Sequence, residues 1–504
     1  MMPNHTDAVN AVRQFMEDRR EGRFNVDSLD VIIDTAISED LLQAREGTGI
    51  LFGQLIEPLS DTFLAQDRST LQKVLAHVIS RLRELDQAAP FHQQLQRWGL
   101  NDETSLLKRM DSLSSDKTFD SQAIGRVGKV FVPSRVTLGA DVLLNSPVIE
   151  KMKKRFPGAE IVFLGSEKNG LLIKGSQSSV RVHAVGYSRR DILLNRFMVW
   201  LDVIRALESE LNQLEEGEDY ILVNTDSRLF QSGLLPALPP DPEEKRYFFW
   251  KPAINLETWK ETSQAEDLLQ WLDASFGPEP PGERIYPEIH FLPEDDAFAK
   301  KVSEILTPAD KNFIVSMSLG VGGNREKRVK QNDETVSVFE LNLIRKLLSD
   351  GVTLVLDKGN GREEFDQAEA LMQAVGDLGF GIAQVSEEIE HPESPRIIYN
   401  ETSSREIRLV VFQGSVRKFA ALINISDLFI GYDSLGQHLA GALGCNVITV
   451  FSGYHSDLFP QRWKPLGRGI IRLVKGKFGP FSPARQQELV KEVFKLHRSM
   501  RKGK

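Results

Sequence analysis

From about residue 125 onward the chain alternates short β-branched runs with stretches of helical periodicity. That alternation limits it to a few folds, because strand–helix–strand units in series build a parallel sheet flanked by helices. The first series has strand-like runs at 129–133, 160–164 and 220–223, with helical candidates at 141–156 and 190–215. A second series has runs at 313–317, 352–356, 409–412, 428–430 and 447–451. Its helical candidates are 336–348, 363–376, 416–424 and 436–443. The proline-rich stretches 234–242 and 277–282 read as connections. Two such halves are expected to face each other across a cleft, with ligands at the C-terminal ends of the strands.

Nothing before residue 120 alternates with period two. Leu71, Val74, Leu75, Val78, Ile79 and Leu82 recur at three- and four-residue spacing and form one apolar stripe. Weaker stripes lie at 9–16 and 29–37, and 111–122 is polar enough to be a linker. The 504 residues therefore divide into a helical domain over 1–120, a Rossmann-like domain over 125–300 and a second Rossmann-like domain over 308–480. A helix and basic tail close the chain at 481–504. The expected fold class is α/β, with two Rossmann-like domains and an added all-α domain.

Composition removes several classes of function. A single cysteine, Cys445, excludes an intramolecular disulfide and a multi-cysteine metal site. No HExxH or multi-histidine cluster occurs, so no protein-bound metal is expected. The start has no basic-then-apolar leader pattern, and no run reaches the roughly 18 apolar residues of a membrane helix. A cytoplasmic location is the simplest expectation. The net charge of −9 is uneven: 461–504 holds thirteen Lys/Arg against two Glu, a local +11, which leaves −20 elsewhere. A basic end can attract a membrane surface, a phosphorylated acceptor or nucleic acid. A solvated terminal helix is the plainer alternative, and the tip lacks the interleaved aromatics that would point to nucleic acid.

Three motifs carry chemistry. The stretch 137–147 follows a predicted strand and opens a helix; Gly139 permits a tight turn, and Asp141 stands at the helix start. A carboxylate there can take a proton from an acceptor hydroxyl, or it can simply cap the helix. The loop 318–328 contains Gly320, Gly322 and Gly323, followed by Arg325, Lys327 and Arg328. Exposed backbone N–H groups with cations close by suit a diphosphate, although the spacing is neither a Walker loop nor a dinucleotide fingerprint. In 427–444 an apolar strand ends at Tyr432, and Asp433 and Ser434 begin a helix carrying Leu435, Gly436 and His438. A helix start of this kind binds phosphate. His438 reads equally as a packed, hydrogen-bonded residue.

Together these stretches resemble the ADP-heptose:lipopolysaccharide heptosyltransferase family, glycosyltransferase family 9, whose fold is GT-B. The likeness runs from about 125 to about 479 and omits the first 120 residues. Asp141, six residues before Pro147, stands at the family's general-base aspartate, and Phe156-Pro157 follows as expected. Lys327 stands at the phosphate-binding lysine, and 352–364 resembles the strand and loop near the nucleotide ribose. Asp433, Ser434 and His438 match the Asp-Thr-Gly-x-x-His element. The chain departs at Ala140, at Val329-Lys330, at Leu435 and at 452–456, residues that bear on the choice of sugar and acceptor.

The resemblance implies an inverting, metal-independent glycosyltransferase with no cofactor beyond a nucleotide-diphosphate sugar donor, extending to ADP-heptose-like donors. Lys327, Arg328, Gly322, Gly323 and the backbone at Ser434, Leu435 and Gly436 would hold the diphosphate. Asp141 would act as base, and Asp433 and His438 would position the donor. The implied acceptor is a hydroxyl of a glycan or glycolipid, as in lipopolysaccharide core assembly. The basic C-terminus would meet the inner face of the membrane. A sugar-nucleotide epimerase on the same fold, or a non-catalytic adaptor, are the alternatives.

Overall fold

The computed structural model describes residues 3–113, 116–306, 313–321, 328–330, 336–359, 361–399, 406–477, 479 and 481–502. Among them β1 (Arg126–Pro133) is buried at every residue after Arg126. A strand covered on both faces is what its continuous apolar run predicts. The strands β2 (Glu160–Gly165), β3 (Val180–Ala184), β4 (Glu218–Asn224) and β5 (Tyr247–Phe249) complete a sheet of order β3-β2-β1-β4-β5. Every neighbouring pair is parallel. The order reverses at β1 and β4: the chain moves outward to β3 and then returns to the other side.

The second sheet comprises β6 (Ile314–Ser318), β7 (Thr353–Asp357), β8 (Gly381–Glu387), β9 (Pro395–Tyr399), β10 (Ile407–Gln413), β11 (Leu428–Tyr432), β12 (Asn446–Ser452) and β13 (Ile471–Lys477). Its order is β13-β12-β11-β6-β7-β10-β8-β9. Among the described residues only the edge strand β9 runs antiparallel. Here the reversal lies between β6 and β11. Five strands escaped the sequence reading: β3, β5, β8, β9 and β13.

The chain forms two compact units. One holds the chain through Thr137, Val148–Leu171 and Ser178–Ile285. The other holds Leu138–Pro147, Leu172–Gln177 and the chain from Tyr286 on. In the first unit the N-terminal helices and the first sheet share one core, with Leu71, Leu75 and Leu82 in the same cluster as Phe131 and Leu222. All six residues of the apolar stripe of helix Ala65–Leu82 are buried. Trp200 joins the parts: it stacks edge-on against Phe91 and Trp98, with centroids 5.4 and 5.6 Å away, and donates Nε1–H to the Pro236 carbonyl at 2.7 Å. Asn4, Asn25, Asp40 and Asp102 are N-caps that start four of the N-terminal helices.

The basic end is folded against the second unit. Helix Pro483–Lys502 packs on helix Val338–Ser349, and Asp350 gathers His497, Arg498 and Arg501 at 3.2, 3.2 and 3.0 Å. His497 is fully buried, and that burial pushes its pKa down despite the Asp350 carboxylate. No described helix is long and apolar enough to cross a membrane.

Candidate functional site

In the second unit the reversal at β6 and β11 sets the ends of three strands side by side. Ser318 of β6 pairs with Gly431 of β11 and with Asp357 of β7. Past β11 the chain passes Asp433 and Ser434 into helix Leu435–Ala442. Ser434 occupies the cap position with an extended backbone, and its side chain takes none of the first-turn N–H groups. Those donors face the strand ends, where the helix dipole also favours an anion. Gly436 is dictated by packing: a Cβ there would stand 2.5 Å from the ring of Phe429, a core residue. The Gln437 amide donates to Asp433 Oδ1 at 2.6 Å and lies 3.3 Å from His438 Nε2. His438 is buried, with Trp463 tilted over it at 6.2 Å.

The Asp141 segment belongs to this same unit. Leu138–Ala140 and the wide π-type turn Asp141–Asn145 pack on helix Leu435–Ala442. Val142 shares a core cluster with Leu439 and Ala440. A Cβ on Gly139 would lie 3.2 Å from His438 Cδ2 and 3.4 Å from Leu435 Cα. Asp141 is fully buried, and Asn145 donates to its Oδ1 at 2.8 Å. π-type turns recur at functional positions because the extra residue re-aims a side chain. The structure therefore brings Asp141 to the helix that carries Ser434, Leu435, Gly436 and His438.

Gly322, Gly323 and Lys327 lie outside the described residues. Arg328 is described, and it is buried: its Nε donates to Glu340 Oε1 at 2.9 Å and its Nη2 to the Leu319 carbonyl at 3.1 Å. Glu340 also accepts from the Tyr432 hydroxyl at 2.9 Å, and that hydroxyl takes the Val329 N–H at 3.3 Å. Burial raises Glu340 above its ordinary range, against the pull of Arg328. This network ties Leu319 after β6, the segment Arg328–Val329 and the end of β11 into one piece. Arg328, expected as a diphosphate ligand, serves here as its internal brace.

Sequence reading missed one group on this edge. Asp357, the last residue of β7, accepts from Ser318 Oγ at 3.2 Å and from the Gly359 N–H at 3.1 Å. Burial lifts its pKa to about 6, with the nearby Glu364 carboxylate adding to the rise. Glu364 folds back to the Gly361 N–H at 3.2 Å. An aspartate ending an apolar run and followed by Lys358-Gly359-Asn360-Gly361 was the available signal.

The described residues define an α/β protein with one parallel sheet and one that is parallel except for its edge strand β9, each carrying a strand-order reversal, and with helices at its N-terminus. No protein-family model matches the sequence, and no curated protein matches it. Among solved structures it is similar to a glycosyl transferase family 9 protein from Veillonella parvula, at 14% identity and TM-score 0.45, over 69% of this chain and 86% of that one. It is also similar to the E. coli ADP-heptose LPS heptosyltransferase II, at 12% identity and TM-score 0.45, over 73% of this chain and 98% of that one. A third is a UDP-GlcNAc 2-epimerase from Neisseria meningitidis, at 11% identity and TM-score 0.38, over 73% and 91%.

Proposed function

We propose that the chain is an inverting glycosyltransferase that takes a sugar from a nucleotide-diphosphate donor and passes it to a hydroxyl of a glycan or glycolipid. One observation supports this reading above the others. The turn bearing Asp141 rests on the helix whose first-turn N–H groups Ser434 leaves uncapped, with Gly139 against Leu435 and His438. A general base and an anion-binding helix tip thus share one unit.

The chemistry follows from that pairing. Negative charge grows on the diphosphate as the glycosidic bond breaks. The N–H groups at Ser434–Gly436 and the helix dipole stabilise that charge without reorganising, which is often the largest catalytic contribution. Lys327, in the glycine-rich loop, adds a cation to the same group. Asp141, oriented by Asn145, takes the proton of the attacking hydroxyl. Asp433 and His438 position the donor, and the Asp357 carboxylate offers an acceptor for a ribose hydroxyl. Protein donors and cations cover the charge in this scheme, so it calls on no metal ion.

The test is donor turnover with and without an acceptor. Asp141→Asn and Lys327→Ala are each expected to slow transfer by about a hundredfold. Transfer at the wild-type rate in Asp141→Asn would remove that residue from the mechanism. Turnover of the donor to an epimeric sugar with no acceptor present would replace transferase by epimerase.

A further inference from the structure

The first unit has its own reversal of strand order, between β1 and β4, and its edge is built for charge. β1 runs out into Ser134-Arg135, and β4 into Thr225-Asp226-Ser227-Arg228. Asp226 holds a left-handed backbone at φ 71°, and Gln231 and Ser232 follow at 45° and 58°. Such backbone strain in non-glycine residues clusters where a site demands it. The Ser227 N–H to Asn224 Oδ1 bond, 2.7 Å, helps to hold this turn.

Arg68 reaches the turn from helix Ala65–Leu82. Its two Nη groups donate to the two Asp226 oxygens at 2.8 and 3.1 Å. Arg135 Nη1 is 3.9 Å from Asp226 Oδ2 and donates to the Thr225 carbonyl. Burial pushes the buried Asp226 carboxyl up, but Arg68, then Arg135 and Arg228, outweigh it and hold it below its ordinary value. Lys251 is pushed down by burial and then by the charge of Arg68. Arg68 and Arg135 thus lie within 4 Å of one carboxylate, and Arg228, two residues on, adds a third positive charge, a local surplus of two.

We propose that this edge is a second binding site, taking a sugar phosphate, and that the N-terminal helices complete it through Arg68. An ion pair that merely fastened the helices to the sheet would need Arg68 and Asp226 alone. Arg228 Nη1 is buried with no hydrogen-bond partner, and so are both amide atoms of Gln231, a residue with no exposed surface. Leaving such groups unpaired forfeits their hydration with nothing in return. A phosphate monoester supplies the acceptor oxygens that Arg228 and the Gln231 amide lack, and a charge near −2 that matches the surplus. The Gln231 carbonyl asks for a donor, which a sugar hydroxyl provides. Position favours the same conclusion, since open α/β sheets bind ligands at the reversal of strand order. The site does not rest on the transferase reading.

The experiment is calorimetric titration of the full chain with glucose 6-phosphate and with inorganic phosphate, at fixed ionic strength. Wild type is expected to bind glucose 6-phosphate saturably, and more tightly than inorganic phosphate. Arg228→Gln, which breaks no pair, should weaken both at least tenfold at unchanged Tm; Gln231→Asn should weaken the sugar phosphate more than the free ion. Saturating ADP should displace neither. Equal affinity in Arg228→Gln, displacement by ADP, or no binding to wild type overturns the proposal. A chain that bound no nucleotide yet passed these tests would sink the transferase reading and leave this site standing.

Discussion

Gly139 lies against His438: a methyl group on its Cα would sit 3.2 Å from the ring carbon Cδ2 and 3.4 Å from the Leu435 backbone. The first neighbour is a buried ring and the second is main chain, so neither yields easily. Gly139→Val should therefore push the Asp141 turn off the helix tip. We expect at least a tenfold loss of transfer with a Tm drop of only a few degrees. Full activity in that variant would show that the contact does not position Asp141.

Gly436→Ala tests the helix tip itself. The new Cβ would meet Phe429 at 2.5 Å, and overpacking a core typically costs about 1–3 kcal/mol. The expected outcome is a lower thermal midpoint together with weaker nucleotide binding. An unchanged midpoint would mean that the helix can shift.

Asp357 gives a pH signature. Its pKa is about 6 in the fold against 3.8 for the free side chain. Between those values the folded state holds more protons than the unfolded one, so stability falls as pH rises through this window. Below it both states are protonated and the contribution vanishes; above it the cost is full, about 3 kcal/mol. Asp357→Asn should flatten the denaturation profile between pH 4 and about 6 and stabilise the chain at pH 7. A profile identical to wild type would contradict this.

The N-terminal helices should not melt on their own. Phe91 and Trp98 close on Trp200 in the core of the first unit. Trp200→Ala is expected to cost about 3–5 kcal/mol. It should also lower protection from hydrogen exchange in Ala65–Leu82 and in β4 together. Loss confined to one of them would mean that they unfold separately.

Local pattern made much of this legible. The stripe Leu71–Leu82 and the run ending at Tyr432 announce a buried helix face and a buried strand, because burial on one or both faces sets the periodicity. The missed strands carry weaker patterns. β5 has three residues, and β9 and β13 lie at the sheet edge with alternating or exposed faces. At the candidate site, Asp433, Ser434 and Gly436 could be read from a strand-to-helix junction. Arg328 could not: a cation beside glycines looks like a phosphate ligand until Glu340, twelve residues on, is seen to take it. Nor does sequence reveal that Arg68 meets Asp226 across 158 positions. Such pairs are made by tertiary packing alone.

The central claim is that the helix tip at Ser434 grips a diphosphate. Titration of ADP and UDP into the wild-type chain and into Ser434→Asp tests it most directly. Aspartate is a good helix cap, so the fold should persist while its charge repels the ligand. The account predicts saturable binding of one nucleotide to wild type, at least tenfold weaker in Ser434→Asp at unchanged Tm. Equal affinity in the two proteins, or no binding of either nucleotide at millimolar concentration, would contradict it.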